Sequence, residues 1–513
     1  MKRIGIDVGG TNTDAVLIED DRVVAAVKRP TTSDVLSGLV ATLGALKEQC
    51  DGRLEGIDAV MIGTTHFVNA VVQRRGLTRV AAIRIGLPAS RSLPPMVDWP
   101  DDLRAAVDPL VFMVEGGHEY DGREFMPLDE AAIREAAMRI RDAGIGAVGI
   151  CAAFSPLTNE HERRAGEIVA EVAPGASVTL SHTLGRIGLL ERENVALMNA
   201  ALMELGRHTV SAFAGALADA ALDVPFYLTQ NDGTVAVAET AASLPVYSFA
   251  SGPTNSMRGA AFLTGIDDAI VIDVGGTTSD IGCLVQGFPR QANTVVEVGS
   301  VRTLFRMPDL LSLGLGGGTI VDRERQTLGP LSVGFRLPQE GLVFGGNRLT
   351  ATDIGVAGGL ATIGDPTRVA HLSKSLVDDM LARMRRMLED GVDRMKTQAG
   401  DAVVIAAGGG AFLIPDMLSG VSKTLHVEHA AVANAVGAAI AQISGEADQI
   451  FTGMSRGAAL AEAERIARDK AVRSGADPLS LRLVETEDIP ISYLPGDARR
   501  VRARVIGRVG LVA

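Results

Sequence analysis

A chain of 513 residues with 47% hydrophobic content can bury the cores of about two to four domains of ~100–200 residues each, which excludes a disordered or fibrous polypeptide. Its 49 basic and 62 acidic side chains leave a formal charge of −13, which argues against nucleic acid or an anionic membrane surface as partner. The three cysteines, Cys50, Cys151 and Cys283, form no CxxC pair, so structural zinc or a disulfide framework is not expected and a reducing, cytoplasmic setting fits.

The chain opens on a strand and a glycine turn, with no apolar leader expected. Residues 2–14 read KRIGIDVGGTNTD. Buried strands of a mostly parallel sheet are predicted at 60–62, 80–85, 147–151 and 178–180, with covering helices at 130–142 and 159–171. Residues 189–213 predict a long helix whose Val195, Met198, Leu202 and Leu205 share one face. The lobe boundary is expected near 185–225, the second lobe opening on a strand at 226–229. Residues 269–280, AIVIDVGGTTSD, then repeat the opening motif, too far downstream for a solenoid and in keeping with two homologous lobes. Residues 366–398 are predicted as a helical insertion beside the ligand. The apolar run at 402–415 contains three glycines and is too short to span a bilayer. Residues 433–439, ANAVGAA, predict a small-residue helix that lets the lobes pack closely. The expected division is 1–185, 186–450 and a small α+β appendage at 451–513, in an α/β fold with a ligand cleft between the lobes.

Each repeat delivers an aspartate, Asp7 or Asp273, to the carboxyl end of a strand, where open α/β sheets bind ligands. Gly9 and Gly10, like Gly275 and Gly276, allow a sharp turn and close backbone approach. Their successive N–H groups form an anion nest, to which Thr11, Asn12, Thr13, Thr277 and Thr278 add polar groups. A carboxylate beside phosphate requires a cation, so Asp7 and Asp273 are the expected Mg²⁺ ligands and catalytic residues. Asp14 and Asp280, closing the turns, are the next candidates. Gly408, Gly409 and Gly410 end a buried strand and are expected beneath an adenosine. This order of two phosphate loops, a glycine-ended strand and a small-residue helix resembles the actin, Hsp70 and sugar-kinase superfamily, whose ribonuclease-H-like lobes bind ATP with Mg²⁺. The absence of GxxxxGK[ST] excludes a P-loop at the motif level.

Within that superfamily the chain resembles the hydantoinase A/5-oxoprolinase family over most of residues 1–445. The resemblance rests on residues 63–76 (GTTHFVNAVVQRRG), 181–202 (SHTLGRIGLLERENVALMNAAL), 229–235 (TQNDGTV), 251–261 (SGPTNSMRGAA) and 313–319 (LGLGGGT). It departs from the family at Asn255, Ser256 and Met257, where glycines usually follow SGP, and at Thr234, where a second glycine is common. The resemblance implies ATP-dependent hydrolysis of a cyclic amide (hydantoin, 5-oxoproline or lactam) through carbonyl phosphorylation. It also implies an oligomer and a hydantoinase B-like partner. Other readings are a small-molecule kinase, an ATP-driven carboxylase subunit, or a nucleotide-gated regulatory module. Thr64, Thr65, His66, Asn69, Arg192, Asn199, Asp232, Ser251 and Gly252 are the expected substrate-side residues. His182 is a further functional candidate, whereas His426 and His429, lacking a third ligand nearby, are expected to be structural. No Ser-His-Asp or catalytic-cysteine arrangement is readable.

Overall fold

The computed structural model describes residues 1–31, 35–50, 54–184, 187–292, 295–304, 306–492 and 496–510. The N-terminal strands β1 (Lys2–Val8), β2 (Asn12–Glu19) and β3 (Arg22–Pro30) form a meander, and β4 (Ala59–Thr64) returns parallel to β1. Helix α1 (His66–Gln73) follows directly. Strands β5 (Val80–Leu87), β6 (Leu110–Glu115) and β7 (Ala147–Ala152), helix α2 (Glu160–Val172) and strand β8 (Ser177–Leu180) then build a separate parallel sheet in the order β8-β7-β5-β6. Its strands are apolar because helices cover them, as a parallel sheet requires. The predicted strand at 60–62 therefore does not share a sheet with the other three. It lies in β4, beside β1.

Helix α3 (Leu189–Asp219) continues past the expected end and leads to β9 (Phe226–Thr229), β10 (Thr234–Val237) and helix α4 (Ser251–Thr264). The strand expected to open the second lobe is instead the fifth strand of the first sheet, parallel to β4. Strands β11 (Ala269–Val274) and β12 (Ser279–Val285) carry the second repeat. They are followed by β13 (Leu310–Leu313), helix α5 (Lys374–Met395), β14 (Ala402–Ala407), β15 (Val421–His426) and helix α6 (Ala433–Ala439).

Both sheets share one topology. In the first, β3-β2-β1 is antiparallel and β1-β4-β9 parallel. In the second, β13-β12-β11 is antiparallel and β11-β14-β15 parallel. This is the ribonuclease-H-like order, twice. Helix α5 is no insertion, because Val377, Met380, Met384, Leu388 and Val392 bury one face in the core formed with Ile270, Ile281 and Val404. An amphipathic helix of this kind is the ordinary cover of a sheet.

The C-terminal residues also depart from expectation. Strand β16 (Gln442–Phe451), helix α7 (Arg456–Arg473), β17 (Arg482–Pro490) and β18 (Arg499–Gly507) do not form a separate appendage. They extend the first sheet to nine strands among the described residues, in the order β17-β18-β16-β10-β9-β4-β1-β2-β3. Helix α7 seals this extension with Ala459, Ala463, Ala467 and Ala471, one per turn.

Helices α4 and α6 cross between the two repeated sheets at backbone contact. A β-carbon on Gly437 would lie 1.8 Å from the Asn255 carbonyl oxygen, and one on Gly259 would lie 1.8 Å from that of Ala433. The small-residue pattern at 433–439 is thus the condition for bringing the lobes together. No helix among the described residues is long and apolar enough to cross a membrane.

Candidate functional site

The two repeats form the same hairpin. Gly9 N–H donates to the Asn12 carbonyl at 3.0 Å and Gly275 N–H to that of Thr278 at 2.9 Å. Asp7 stands opposite Asp14 across the first pair, and Asp273 opposite Asp280 across the second. The turns meet across the cleft, since a β-carbon on Gly276 would sit 3.5 Å from Thr11 Cγ2. The second turn is braced by the glycine run at 316–318, whose Gly317 and Gly318 N–H groups donate to the carbonyls of Gly275 and Gly276 at 2.9 and 2.8 Å. Side chains there would hold the two backbones apart.

The carboxylates are strongly perturbed. Asp7 is raised to about 7, first by burial and then by Asp14, against the opposing hydrogen bond from Asn434. Asp273 is raised to about 6, again first by burial, with Asp280 adding and Ser256 and Lys28 opposing. Asn434 Nδ2 donates to Asp7 Oδ2 at 2.8 Å, while Asp7 Oδ1 is sealed from solvent without a partner. Asp14 has a partner: both its oxygens accept from Lys28 Nζ, at 2.8 and 2.7 Å. Asp280 accepts from Ser312 Oγ at 2.5 Å. Burial and like charge both disfavour ionisation, so this acidic cleft favours a cation.

Among the described residues no group of three His, Cys, Asp or Glu side chains is placed to hold a metal. Two hard carboxylates, one with an unpaired oxygen, do suit Mg²⁺ that arrives on a phosphate and keeps much of its water. The third glycine segment closes the same cleft. Gly408 has φ +82°, and a β-carbon there would lie 2.2 Å from Asp273 Oδ1, so only glycine fits. One on Gly409 would lie 3.8 Å from Lys28 Cε, so the glycine run lies over this lysine.

Several expected substrate-side residues gather beside the first turn. Ser251 Oγ donates to the Thr64 carbonyl at 3.1 Å, His66 N–H to Thr64 Oγ1 at 3.1 Å, and Asn69 Nδ2 to Thr65 Oγ1 at 3.2 Å. A β-carbon on Gly252 would be 3.5 Å from Thr65 Cγ2, and one on Gly10 would be 4.0 Å from Asn69 Nδ2. Burial holds His66 below the usual imidazole value.

Three candidates lie elsewhere. Arg192 is buried and serves the small sheet, donating from Nε to Ser181 Oγ at 2.9 Å and from Nη2 to the Ala152 carbonyl at 2.6 Å. Asn199 ties Thr179 to the Ser243 carbonyl, at 3.2 and 2.9 Å. Asp232 caps its own turn through Thr234 and pairs with Arg504 at 3.4 Å, in the extension of the first sheet. All three are fixed by internal partners because a buried polar group needs them. His426 lies 3.3 Å from Asp416 and His429 3.8 Å from Glu428, both exposed carboxylates. Lys28 and Asn434 were not legible as site residues. The signals were the pairing of Lys28 with Asp14 in the β2–β3 register and a lone polar residue in ANAVGAA.

Residues 3–173 match the hydantoinase/oxoprolinase N-terminal region and residues 192–362 the hydantoinase/oxoprolinase domain. The chain is 27% identical over 76% of its length to caprolactamase subunit alpha of Pseudomonas jessenii, and 28% identical over 69% to the acetophenone carboxylase gamma subunit of Aromatoleum aromaticum. It spans 60% and 53% of those relatives' own lengths. Among solved structures, ATP-dependent caprolactamase from Pseudomonas jessenii superimposes with a TM-score of 0.76 at 20% identity, over 99% of this chain and 88% of that one. Nucleotide-free acetone carboxylase superimposes with a TM-score of 0.71 at 18% identity, over 100% of this chain and 89% of that one. Two ribonuclease-H-like lobes stand beside both matched regions, which together cover more than half of the chain: the chain belongs to the hydantoinase/oxoprolinase family.

Proposed function

We propose that this chain is the nucleotide-using subunit of an ATP-dependent enzyme that activates a small cyclic amide by phosphorylating its carbonyl oxygen. The observation that carries the reading is the pair of matching hairpins whose turns meet and whose buried aspartates, Asp7 and Asp273, are both raised above the ordinary carboxylate value. Backbone N–H groups of 10–11 and 276–277, beyond the Gly9 and Gly275 N–H groups that close the hairpins, would take the phosphates. Asp7 and Asp273 would hold Mg²⁺, which supplies neutralisation of the phosphate charge. Gly408, Gly409 and Gly410 would pass beneath the nucleoside. Thr64, Thr65, Asn69, Ser251 and Gly252 line the side where the acceptor would lie.

Amide resonance makes a lactam carbonyl a poor electrophile, and an O-phosphorylated amide is attacked by water far more readily. The protein's work is to align that oxygen with the γ-phosphorus and to spread charge over fixed donors. A multi-subunit assembly with a hydantoinase B-like partner and a cytoplasmic location are part of the same reading, supported by relatives named as subunits and by free cysteines. A carboxylase subunit is the second reading, favoured by the relatives named acetophenone carboxylase gamma subunit and acetone carboxylase beta subunit.

The test is to incubate the chain with a candidate partner, ATP, Mg²⁺ and a panel of hydantoins, 5-oxoproline and lactams, and separately with a ketone and bicarbonate. ADP and ring-opened acid are measured together, with the chain alone as comparison. ADP release in step with ring opening supports the amidohydrolase. ADP release stimulated only by ketone and bicarbonate supports the carboxylase. ATP that neither binds nor turns over overturns both.

A further inference from the structure

The Ser-His motif at the start of the 181–202 segment is not used by the nucleotide cleft. It stands at the carboxyl end of β8, where parallel sheets present ligand sites. Glu162, on the first turn of α2, is fully buried there and accepts four hydrogen bonds. Its Oε1 takes Ala152 N–H at 2.8 Å and Ser181 Oγ–H at 2.5 Å, and its Oε2 takes His182 N–H at 2.9 Å and the His182 ring at Nδ1 at 2.6 Å. Arg192 Nε donates in turn to Ser181 Oγ.

These contacts fix the tautomer of the neutral ring. Although burial acts to raise it, His182, Arg192 and the serine hydroxyls hold Glu162 below the ordinary glutamate value, so it is a carboxylate and only accepts. Nδ1 of His182 therefore carries the hydrogen, and in the neutral ring Nε2 carries the lone pair. Nε2 has no partner among the described residues and is not sealed, the side chain being 15% exposed. The adjoining turn after β7 holds Phe154 at φ +54°, a conformation that surrounding structure must enforce. A carboxylate on one imidazole nitrogen and an open lone pair on the other is the arrangement of a general base with its orienting group.

We propose that His182 is the general base of a second site at the carboxyl edge of the small sheet, oriented by Glu162 and acting on an activated carbonyl compound to which water adds. Nε2 takes a proton from water as the water oxygen bonds to the carbonyl carbon. The bond to the leaving group breaks, and the imidazolium returns the proton to that group. His182 is the catalytic residue of this site, Glu162 its positioning residue. The site stands on the β7 and β8 edge, not on either hairpin, so it does not depend on the reading of the nucleotide cleft.

The full chain is tested without ATP, using p-nitrophenyl acetate and following p-nitrophenolate. His182→Asn keeps a donor for Glu162 and removes Nε2, and turnover is expected to fall by about tenfold or more with an unchanged melting temperature. Glu162→Gln is expected to lower turnover less and to shift the ¹⁵N signals of the His182 ring away from the Nδ1–H tautomer, which loss of packing alone would not do. Equal turnover by the wild-type chain and folded His182→Asn overturns the proposal. Should His182→Asn fail to fold, diethyl pyrocarbonate decides on the wild-type chain. Modification of His182 supports the open Nε2, and His182 left unmodified while the exposed His208 and His371 react overturns it.

Discussion

Replacing Asp7 by asparagine should stabilise the ligand-free protein while removing its response to Mg²⁺ and ATP. Asp7 rises from an ordinary value of 3.8 to about 7 because it is buried and faces Asp14. An acid whose pKa is raised on folding binds its proton more tightly in the folded state. The folded state is therefore penalised as pH climbs from near 3.8 to about 7, and the full penalty persists above that. At ~1.36 kcal/mol per pH unit the upper bound is about 4 kcal/mol at alkaline pH, of which roughly 2–3 kcal/mol develops between pH 5 and pH 8.5.

Asparagine has nearly the same shape and can still accept from Asn434 Nδ2 through its amide oxygen, but it carries no charge to desolvate. The assay is urea unfolding of wild type and Asp7→Asn at pH 5 and pH 8.5 without nucleotide. The stability difference should favour the variant and should widen with pH. A variant no more stable at pH 8.5, or a difference independent of pH, would refute the claim that an unpaired buried charge resides at position 7. Stability sacrificed at a ligand-binding carboxylate is the usual signature of a functional residue.

Wild-type chain should melt higher with Mg²⁺ and a non-hydrolysable ATP analogue, by the equivalent of ~2.7 kcal/mol at a hundredfold excess over Kd. Asp273→Asn should lose that shift, and a retained shift counts against the second hairpin. Gly437→Ala places a β-carbon 1.8 Å from the Asn255 carbonyl and should cost about 1–3 kcal/mol or more in unfolding measurements, as overpacking does. An unaltered midpoint would show that α4 and α6 can separate freely. Arg192→Met removes a buried guanidinium with at least three acceptors and should destabilise by about 3–5 kcal/mol while nucleotide affinity of the folded fraction is unchanged. Lost affinity at full folding would return Arg192 to the cleft.

What could be read from the chain alone was local and repeated. The Asp-Val-Gly-Gly-Thr hairpins at 7–11 and 273–277 specify their turns, because two glycines and a following polar residue leave the backbone few alternatives. Their likeness revealed two lobes of one design, and ANAVGAA announced a close helix crossing. Thr64, Thr65, Asn69, Ser251 and Gly252 were picked out through the family-like segments 63–76 and 251–261, and the structure gathers them beside the first turn.

Only the tertiary structure decided which sheet each strand joins. The strand Phe226–Thr229 is as apolar as its neighbours, and nothing in its residues states that it pairs with Ala59–Thr64 and not with the second repeat. For the same reason residues 451–513 read as an appendage, yet Arg482–Pro490 and Arg499–Gly507 complete the first sheet. Arg192 and Asp232 carry charges suited to a cleft, but long-range partners, Ser181 and Ala152 for one and Arg504 for the other, fix them elsewhere. Lys28, Asn434 and the Glu162–His182 pair became visible only through contacts between distant segments. Short motifs fix backbone geometry within a few residues, whereas strand partners and charge partners depend on contacts that the chain makes only once it is folded.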